Sequence, residues 1–533
     1  MKAALVGLVL LGGCLVLLLT SPTDGNFWWQ DAPRHALNGA FLKDFVLAHP
    51  WHDPKAWAMN YYLQYPALSI LFYPPLFYVF EAVVYGLLGV SHFSAQITVG
   101  LFTILLAFSA YRIARLSLSA TAALGVGLLT IGAPAAALWG RQVMLDVPAY
   151  ACILGSSFLL LRHIETKRAA HLYLSAAVLL AAIYIKFNSV FIIPVFFGVL
   201  WWEQGLRGLL ERRTMVAIVP VLFGLLPMAY LTLKFGQANV ASVVGRDTDL
   251  SRTNLDAWLF YGRQIPEALG YVPTVLAALF PMLALATRPK AGEARLVGLL
   301  AGWFLFGYLF VSAIGVREPR HALSLLFPLA MFAAFSLKRV LAERYAPAAT
   351  LALGLGTFAY SVLYCPTPAI DGYGEVAAYV GQTAPEHAVI LFSGYRDGNF
   401  IFDMRTEEDR RDISIIRADK LLLNVAVERL RGVQQKDYDE AAIGDLIKRV
   451  GTDLIVVQPG FWNDLTEMAR FEAVLQTTSF EKVKSFEITG AIGHYDGNRI
   501  DIYRPLYPVD KTSSALQIEM PIIGGKFEGS TGH

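Results

Sequence analysis

Four short stretches bring together the residue types that proton and phosphate chemistry need. Asp31, Arg34 and His35 fall within one turn of each other in the tryptophan-rich segment Phe27 to Asp44. Pro33 suits the first turn of a helix and Asp31 the capping position before it, so Arg34 and His35 would project near the carboxylate. Arg141 and Asp146 stand at the end of a span, Asp146 immediately before an apolar helix, Lys186 separates two apolar runs, and Arg317-Glu318-Pro319-Arg320-His321 makes a charged turn. A carboxylate can accept a hydroxyl proton, and Arg or Lys can hold a phosphate. Each stretch also has a plainer reading: Asp31 capping a surface helix, Arg141 pairing with Asp146 or Asp146 capping, Lys186 reaching toward the interface, and Arg317 pairing with Glu318.

The elements that would carry these residues are membrane helices. The chain has 533 residues, 55% hydrophobic and 16% charged, a composition outside the soluble globular range. The net charge is +2, with no basic block of the kind nucleic-acid binding needs, so a nucleic-acid partner is not expected. The three cysteines, Cys14, Cys152 and Cys365, are too scattered for a disulfide framework or a zinc site. Apolar runs approaching the roughly 20 residues of a bilayer crossing recur at 3–20, 67–90, 93–111, 119–139, 147–161, 170–186, 188–202, 215–235, 269–287, 295–316, 320–337 and 346–364. Residues 3–20 look like a signal-peptide core but lead into no clear small-residue cleavage site, so they are read as a retained first helix.

Basic clusters set the orientation. Arg112 and Arg115; Arg162, Lys167 and Arg168; Arg207, Arg212 and Arg213; Arg288, Lys290 and Arg295; and Lys338, Arg339 and Arg344 are all assigned to the cytoplasmic side. This puts Asp146, Lys186, the 236–268 loop, the Arg317 to His321 turn and everything after 365 on the outer face. With Lys2 inside, residues 21–66 are also outside. A full crossing by 67–90, which contains Pro74 and Pro75, would then place Asp146 wrongly, so eleven or thirteen spans fit the charges and twelve do not. In the 236–268 loop, Trp258, Phe260 and Tyr261 beside Arg252 and Arg263 suit either an interfacial helix or ordinary packing.

Near Pro366 the apolar runs shorten. Ala388 to Phe392, Asp412 to Ile416, Asp453 to Val457, 480–488 and 499–503 read as strands, and Tyr438 to Val450 and Phe461 to Thr478 as helices. Residues 366–506 are therefore expected to form an extracytoplasmic, soluble α/β domain, with 507–533 a loosely ordered tail, after a membrane domain at 1–365 that includes the first outer loop 21–66. Ser393-Gly394 is a candidate anion-binding turn, or an ordinary strand end.

In order along the chain, DAPRHALNGAFLKD at Asp31 to Asp44, YPALSILFYPPL at Tyr65 to Leu76, LLGVSHFSA at Leu87 to Ala95, RQVMLDVPA at Arg141 to Ala149 and REPRHALSLLFP at Arg317 to Pro328 resemble the GT-C superfamily of polyprenyl-phosphate-sugar glycosyltransferases. The closer resemblance is to the bacterial branch related to protein O-mannosyltransferases and aminoarabinose transferases. It implies a polytopic α-helical membrane protein of GT-C type with 11–13 spans, a hexosyl- or pentosyltransferase in the bacterial inner (cytoplasmic) membrane. The implied partners are a polyprenyl-phosphate sugar, a lipid, glycan or protein acceptor, and membrane lipids.

By the same resemblance Asp31 is the catalytic base and Asp146 the second acidic residue. Many members have an Asp-Glu pair in the first loop, whereas Ala32 follows Asp31, so a role needing adjacent carboxylates is not implied. Arg34, His35, Arg141, Lys186, Arg317 and Arg320 are the substrate-binding candidates, with Arg34 and Arg141 orienting the carboxylates. No cofactor is assigned, and Asp146 is a candidate to orient the acceptor or bind a divalent metal. The competing reading is a lipid-linked-sugar flippase or transporter, which would place charges at midplane and repeat its spans; neither pattern is found in the sequence.

Overall fold

The computed structural model describes residues 3–245, 249–287, 291–425, 429, 432–491, 497–509, 515–520 and 525–530. The chain divides into two compact units, one of Met1–Ser21, Tyr73–Phe77 and Gln96–Thr367, the other of Pro22–Phe72, Tyr78–Ala95 and Pro368–His533. The first polar loop, expected with the membrane domain, thus shares a unit with the C-terminal part.

The first unit is helical. By length and composition, seven of the described helices can cross a membrane, or eight if the bent pair Ala120–Gly132 and Pro134–Gly140 is one span. The bend, 60°, has a local cause. Pro134 pushes the residue before it, Ala133, out of the helical region to φ −56°, ψ 135°. Shorter apolar helices occur at Ala3–Leu19, Ala169–Ile185 and Tyr271–Ala286. Leu222, Phe223, Met282 and Leu285 are exposed, as side chains facing lipid would be, and the protein is an integral membrane protein.

The stretch 67–90 is not a full crossing. Its helix is Leu76–Leu88, 13 residues, about 20 Å long against a hydrocarbon core of about 30 Å. Pro66, Pro74 and Pro75 keep the preceding residues in turns. Of the basic clusters, Arg288 and Lys290 lie outside the described residues. In the 236–268 region, helix Leu255–Leu269 buries Tyr261 against Val311, Ala322 and Leu325, and the Trp258 indole donates to Arg252 O at 2.8 Å.

Small residues let helices approach closely in this unit. A Cβ on Gly125 would stand 2.3 Å from Thr350 O, and one on Gly354 2.1 Å from Gly125 O. Glycine at both positions therefore brings Ala120–Gly132 into backbone contact with Ala346–Tyr364, as small-residue motifs do in membranes. Ser156 and Ser175 tie the neighbouring helices Asp146–Thr166 and Ala169–Ile185 by each donating to the other's carbonyl, at 2.7 and 2.8 Å.

In the second unit the strands β1 (Val389–Ser393), β2 (Ser414–Arg417), β3 (Leu454–Val457), β4 (Phe480–Glu487) and β5 (Arg499–Pro505) form one sheet in the order β2-β1-β3-β5-β4. β2, β1 and β3 are parallel, and β5 and β4 run antiparallel to their neighbours. β1 and β3 are buried along their whole length, which explains why they read as continuous apolar runs. The expected Tyr438 to Val450 helix is Glu440–Arg449, capped by Asp439. The second expected helix is shorter than Phe461 to Thr478, spanning Thr466–Leu475. Trp462 has φ 53° and stacks on Phe461, so the chain turns there before the helix begins. Helices Tyr373–Thr383 and Asp397–Thr406 were not anticipated. In the stretch expected as a loose tail, Ala515–Met520 and Gly525–Ser530 pair antiparallel.

Replacing Gly354 by Leu is expected to force the paired helices apart, costing about 1–3 kcal/mol or more. The check is thermal unfolding in detergent, with the exposed Gly356→Leu as the control that leaves the melting temperature unchanged.

Candidate active site

The candidate residues fall into two groups, one in each unit. In the second unit, Asp31 stands at the N-cap of helix Ala32–Ala48 with Pro33 in the first turn, but its side chain makes no capping hydrogen bond. Its carbonyl accepts from His35 N at 2.9 Å, and the residue is half-buried. The carboxylate is therefore not spent on satisfying the helix end, which removes the plainer reading of this residue. His35 is buried, its Nδ1 2.9 Å from the Tyr78 hydroxyl.

Arg34 is committed elsewhere than the expected carboxylate. Its Nη2 donates to both oxygens of Asp397, at 2.9 and 3.0 Å. Arg417 Nη1 reaches the same Asp397 at 2.6 Å, and Arg417 chelates Asp419 at 3.0 and 2.8 Å. Asp397 follows β1 and Asp419 follows β2, so both lie at the carboxyl ends of parallel strands, where open α/β sheets place their functional groups. The adjacent Lys420 is lowered to about 8 by burial and by the neighbouring guanidiniums, against the pull of Asp419.

A second buried ion pair anchors the far end of the same helix. Arg405 donates two hydrogen bonds to Asp44, at 2.9 and 2.8 Å, and the Tyr61 hydroxyl adds a third at 2.8 Å. Neither ionic side chain could be left alone in such a site, because removing one partner of a buried pair strands the other.

The segment before Asp31 is stitched to the C-terminal elements of its own unit. Asn26 N donates to Ile370 O at 2.6 Å, and its side chain accepts from Tyr373 N and donates to Asp403. Phe27 O accepts from Asn399 at 2.9 Å and Trp28 O from Arg396 at 2.5 Å. Burial pushes Asp403 up from 3.8 to about 7, opposed by the Asn26 hydrogen bond and reinforced by nearby Glu407.

In the first unit, the Lys186 ammonium donates to Asp146 Oδ1 at 2.5 Å. Asp146 Oδ2 is buried and has no hydrogen-bond partner among the described residues. Arg320 and His321 are close enough to act on Asp146 electrostatically. Arg320 also donates to Glu318 and lies 5.8 Å from the Trp139 ring centroid.

Arg141 neither pairs with Asp146 nor orients it. Its guanidinium donates to Ala137 O at 2.9 Å, Ser361 O at 3.3 Å and Cys365 O at 2.9 Å, tying helix ends together. Arg317 turns to the backbone rather than to Glu318, its guanidinium bonding the carbonyls of Leu250, Gly315 and Ser312. At Ser393-Gly394 the Gln458 side chain fills the turn, its Oε1 accepting from Tyr395 N at 3.0 Å. Among the described residues no three His, Cys, Asp or Glu side chains gather as metal ligands.

The chain thus combines a polytopic helical unit with a mixed α/β unit, each bearing one of the two candidate acids. The sequence profile described as dolichyl-phosphate-mannose-protein mannosyltransferase matches residues 73–231. Among solved structures, the chain is similar to ArnT from Cupriavidus metallidurans in the apo state, with TM-score 0.63 and 16% identity over 94% of this chain and 98% of that one. The same ArnT bound to undecaprenyl phosphate matches with TM-score 0.61, 14% identity and the same coverage. The Archaeoglobus fulgidus oligosaccharyltransferase in complex with Zn and sulfate matches with TM-score 0.52 and 11% identity, over 84% of this chain and 68% of that one. No match was found among curated proteins. The fold is the one seen in ArnT and in the archaeal oligosaccharyltransferase.

Two measurements follow from these buried charges. Lys186→Met is expected to destabilise the protein by about 3–5 kcal/mol because Asp146 is left buried without its partner; the double variant Lys186→Met with Asp146→Leu should recover much of that loss in thermal unfolding. For Asp403, the folded state keeps a proton that the unfolded chain has released between about pH 4 and 7. Its contribution to stability therefore falls as pH rises through that window and levels off above it. Melting curves against pH should show the wild type losing ground to Asp403→Asn between those limits.

Proposed function

We propose that the chain is an inverting glycosyltransferase that moves a hexose or pentose from a polyprenyl-phosphate donor to a hydroxyl of a lipid, glycan or protein acceptor. The observation that carries this reading is Asp31: a half-buried carboxylate at a helix start that makes no cap, within a fold shared with a structure bound to undecaprenyl phosphate. The setting is the outer face of the bacterial inner membrane, with the C-terminal domain extracytoplasmic, supported by the distribution of basic clusters.

Asp31 takes the acceptor proton as the acceptor oxygen attacks the anomeric carbon. The bond between that carbon and the phosphate oxygen breaks, and its electron pair leaves with the polyprenyl phosphate. The departing phosphate is a weak base, so it needs cations rather than an acid. Lys186 and Arg320 are the candidates for holding it, Arg317 being taken up by backbone carbonyls. Asp146 fixes Lys186 through Oδ1, while its buried Oδ2 has no hydrogen-bond partner among the described residues. The acidic side chains described do not build a metal site by themselves, and no step is routed through one.

Asp31→Asn removes the base while keeping size and polarity. Turnover of radiolabelled polyprenyl-phosphate sugar should fall by a factor of about 10²–10⁴, the usual worth of a positioned base, with donor binding retained. Full turnover in that variant would eliminate Asp31 as the base.

A further inference from the structure

We propose that Asp397 is a positioning residue for Asp31, fixing through Arg34 the first helical turn on which that carboxylate stands. The proposal rests on the reading of Asp31 as the base and assigns the C-terminal α/β elements a role in that chemistry.

Arg34 stands in the first turn, three residues after Asp31. It makes a two-oxygen contact with Asp397 and a further bond to Ala67 O at 3.3 Å. Asp397 is in turn pulled from its other side by Arg417, and Arg417 is fixed by Asp419. The Asp397 carboxylate is nearly inaccessible, at 8%, whereas Arg34 is 27% exposed. The guanidinium is thus held through a buried partner.

A steric contact, independent of charge, acts on the same turn. A Cβ on Gly398 would stand 2.9 Å from Pro33 Cγ and 3.7 Å from Arg34 Cγ. The first turn of Ala32–Ala48 therefore sits directly on the start of helix Asp397–Thr406, which a side chain at 398 would block. The bonds from Asn399 to Phe27 O and from Arg396 to Trp28 O grip the strand of chain entering Asp31. Four consecutive residues, Arg396 to Asn399, thus hold both flanks of Asp31.

The test uses the full-length protein with two variants that perturb the clamp differently, Asp397→Asn by charge and Gly398→Ala by shape. The first readout is amide hydrogen exchange at His35, Ala36 and Leu37, which needs no substrate. Both variants should speed exchange there while leaving Phe41 to Ala48, anchored by Arg405, unchanged. The second is turnover of the polyprenyl-phosphate sugar that the wild type uses: kcat should fall about 10- to 100-fold, the scale of a misplaced reacting group, with KM for the donor unchanged. Asp397→Glu should restore part of the rate lost in Asp397→Asn. Unchanged exchange at the first turn, exchange accelerated evenly across the unit, or local loosening with kcat intact would each overturn the proposal. Asp31→Asn is run alongside: full activity there means the base assignment has failed, whatever the clamp does.

Discussion

The structure of the second unit depends on the cost of burying charge. Asp397 and Asp44 are nearly inaccessible, and a lone carboxylate in either place would cost several kcal/mol. Each is instead held by guanidiniums that arrive from distant parts of the sequence: Arg34 and Arg417 on Asp397, Arg405 and Arg411 on Asp44. One helix, Ala32–Ala48, contributes to both, through Arg34 in its first turn and Asp44 in its last. A polar helix so early in a hydrophobic chain is fixed at both ends by the C-terminal elements, and this ties its orientation to theirs.

The same logic operates differently in the membrane unit. There Lys186 meets Asp146 directly, and the arginines at 141 and 317 bond backbone carbonyls that include those at helix ends, Cys365 O and Ser312 O. Backbone carbonyls at helix C-termini carry partial negative charge and lack intrahelical partners, so a guanidinium there closes the helix end and solvates itself at once. Arg141 thereby closes helix ends rather than pairing with Asp146.

Much of the fold was legible in the sequence because its signals are local. Apolar runs of about the right length for membrane helices located most of them, and the buried parallel strands β1 and β3 announced themselves as AVILF and DLIVV. What escaped were elements whose stability is tertiary. Helix Asp397–Thr406 has charged and small residues at its start, DGNFIFDMRT, and little to mark it as a helix except the packing it makes. The opposite error came at Phe461 to Asp464, where apolar composition suggested helix but the chain turns through a left-handed Trp462. At 67–90 hydropathy extended a span across prolines that the backbone could not carry.

The candidate residues were found by type, but their partners were not. Nothing local in the sequence pairs Arg34 with Asp397, 363 positions away; the nearer acid, three residues back, was the natural expectation. The tripeptide Arg396-Asp397-Gly398 after a buried strand was the available signal, since functional side chains collect at the carboxyl ends of parallel strands. That Arg34 takes the distant acid rather than the near one has a physical reason. Asp397 is desolvated and already placed by Arg417, so it offers a bidentate partner at no further ordering cost.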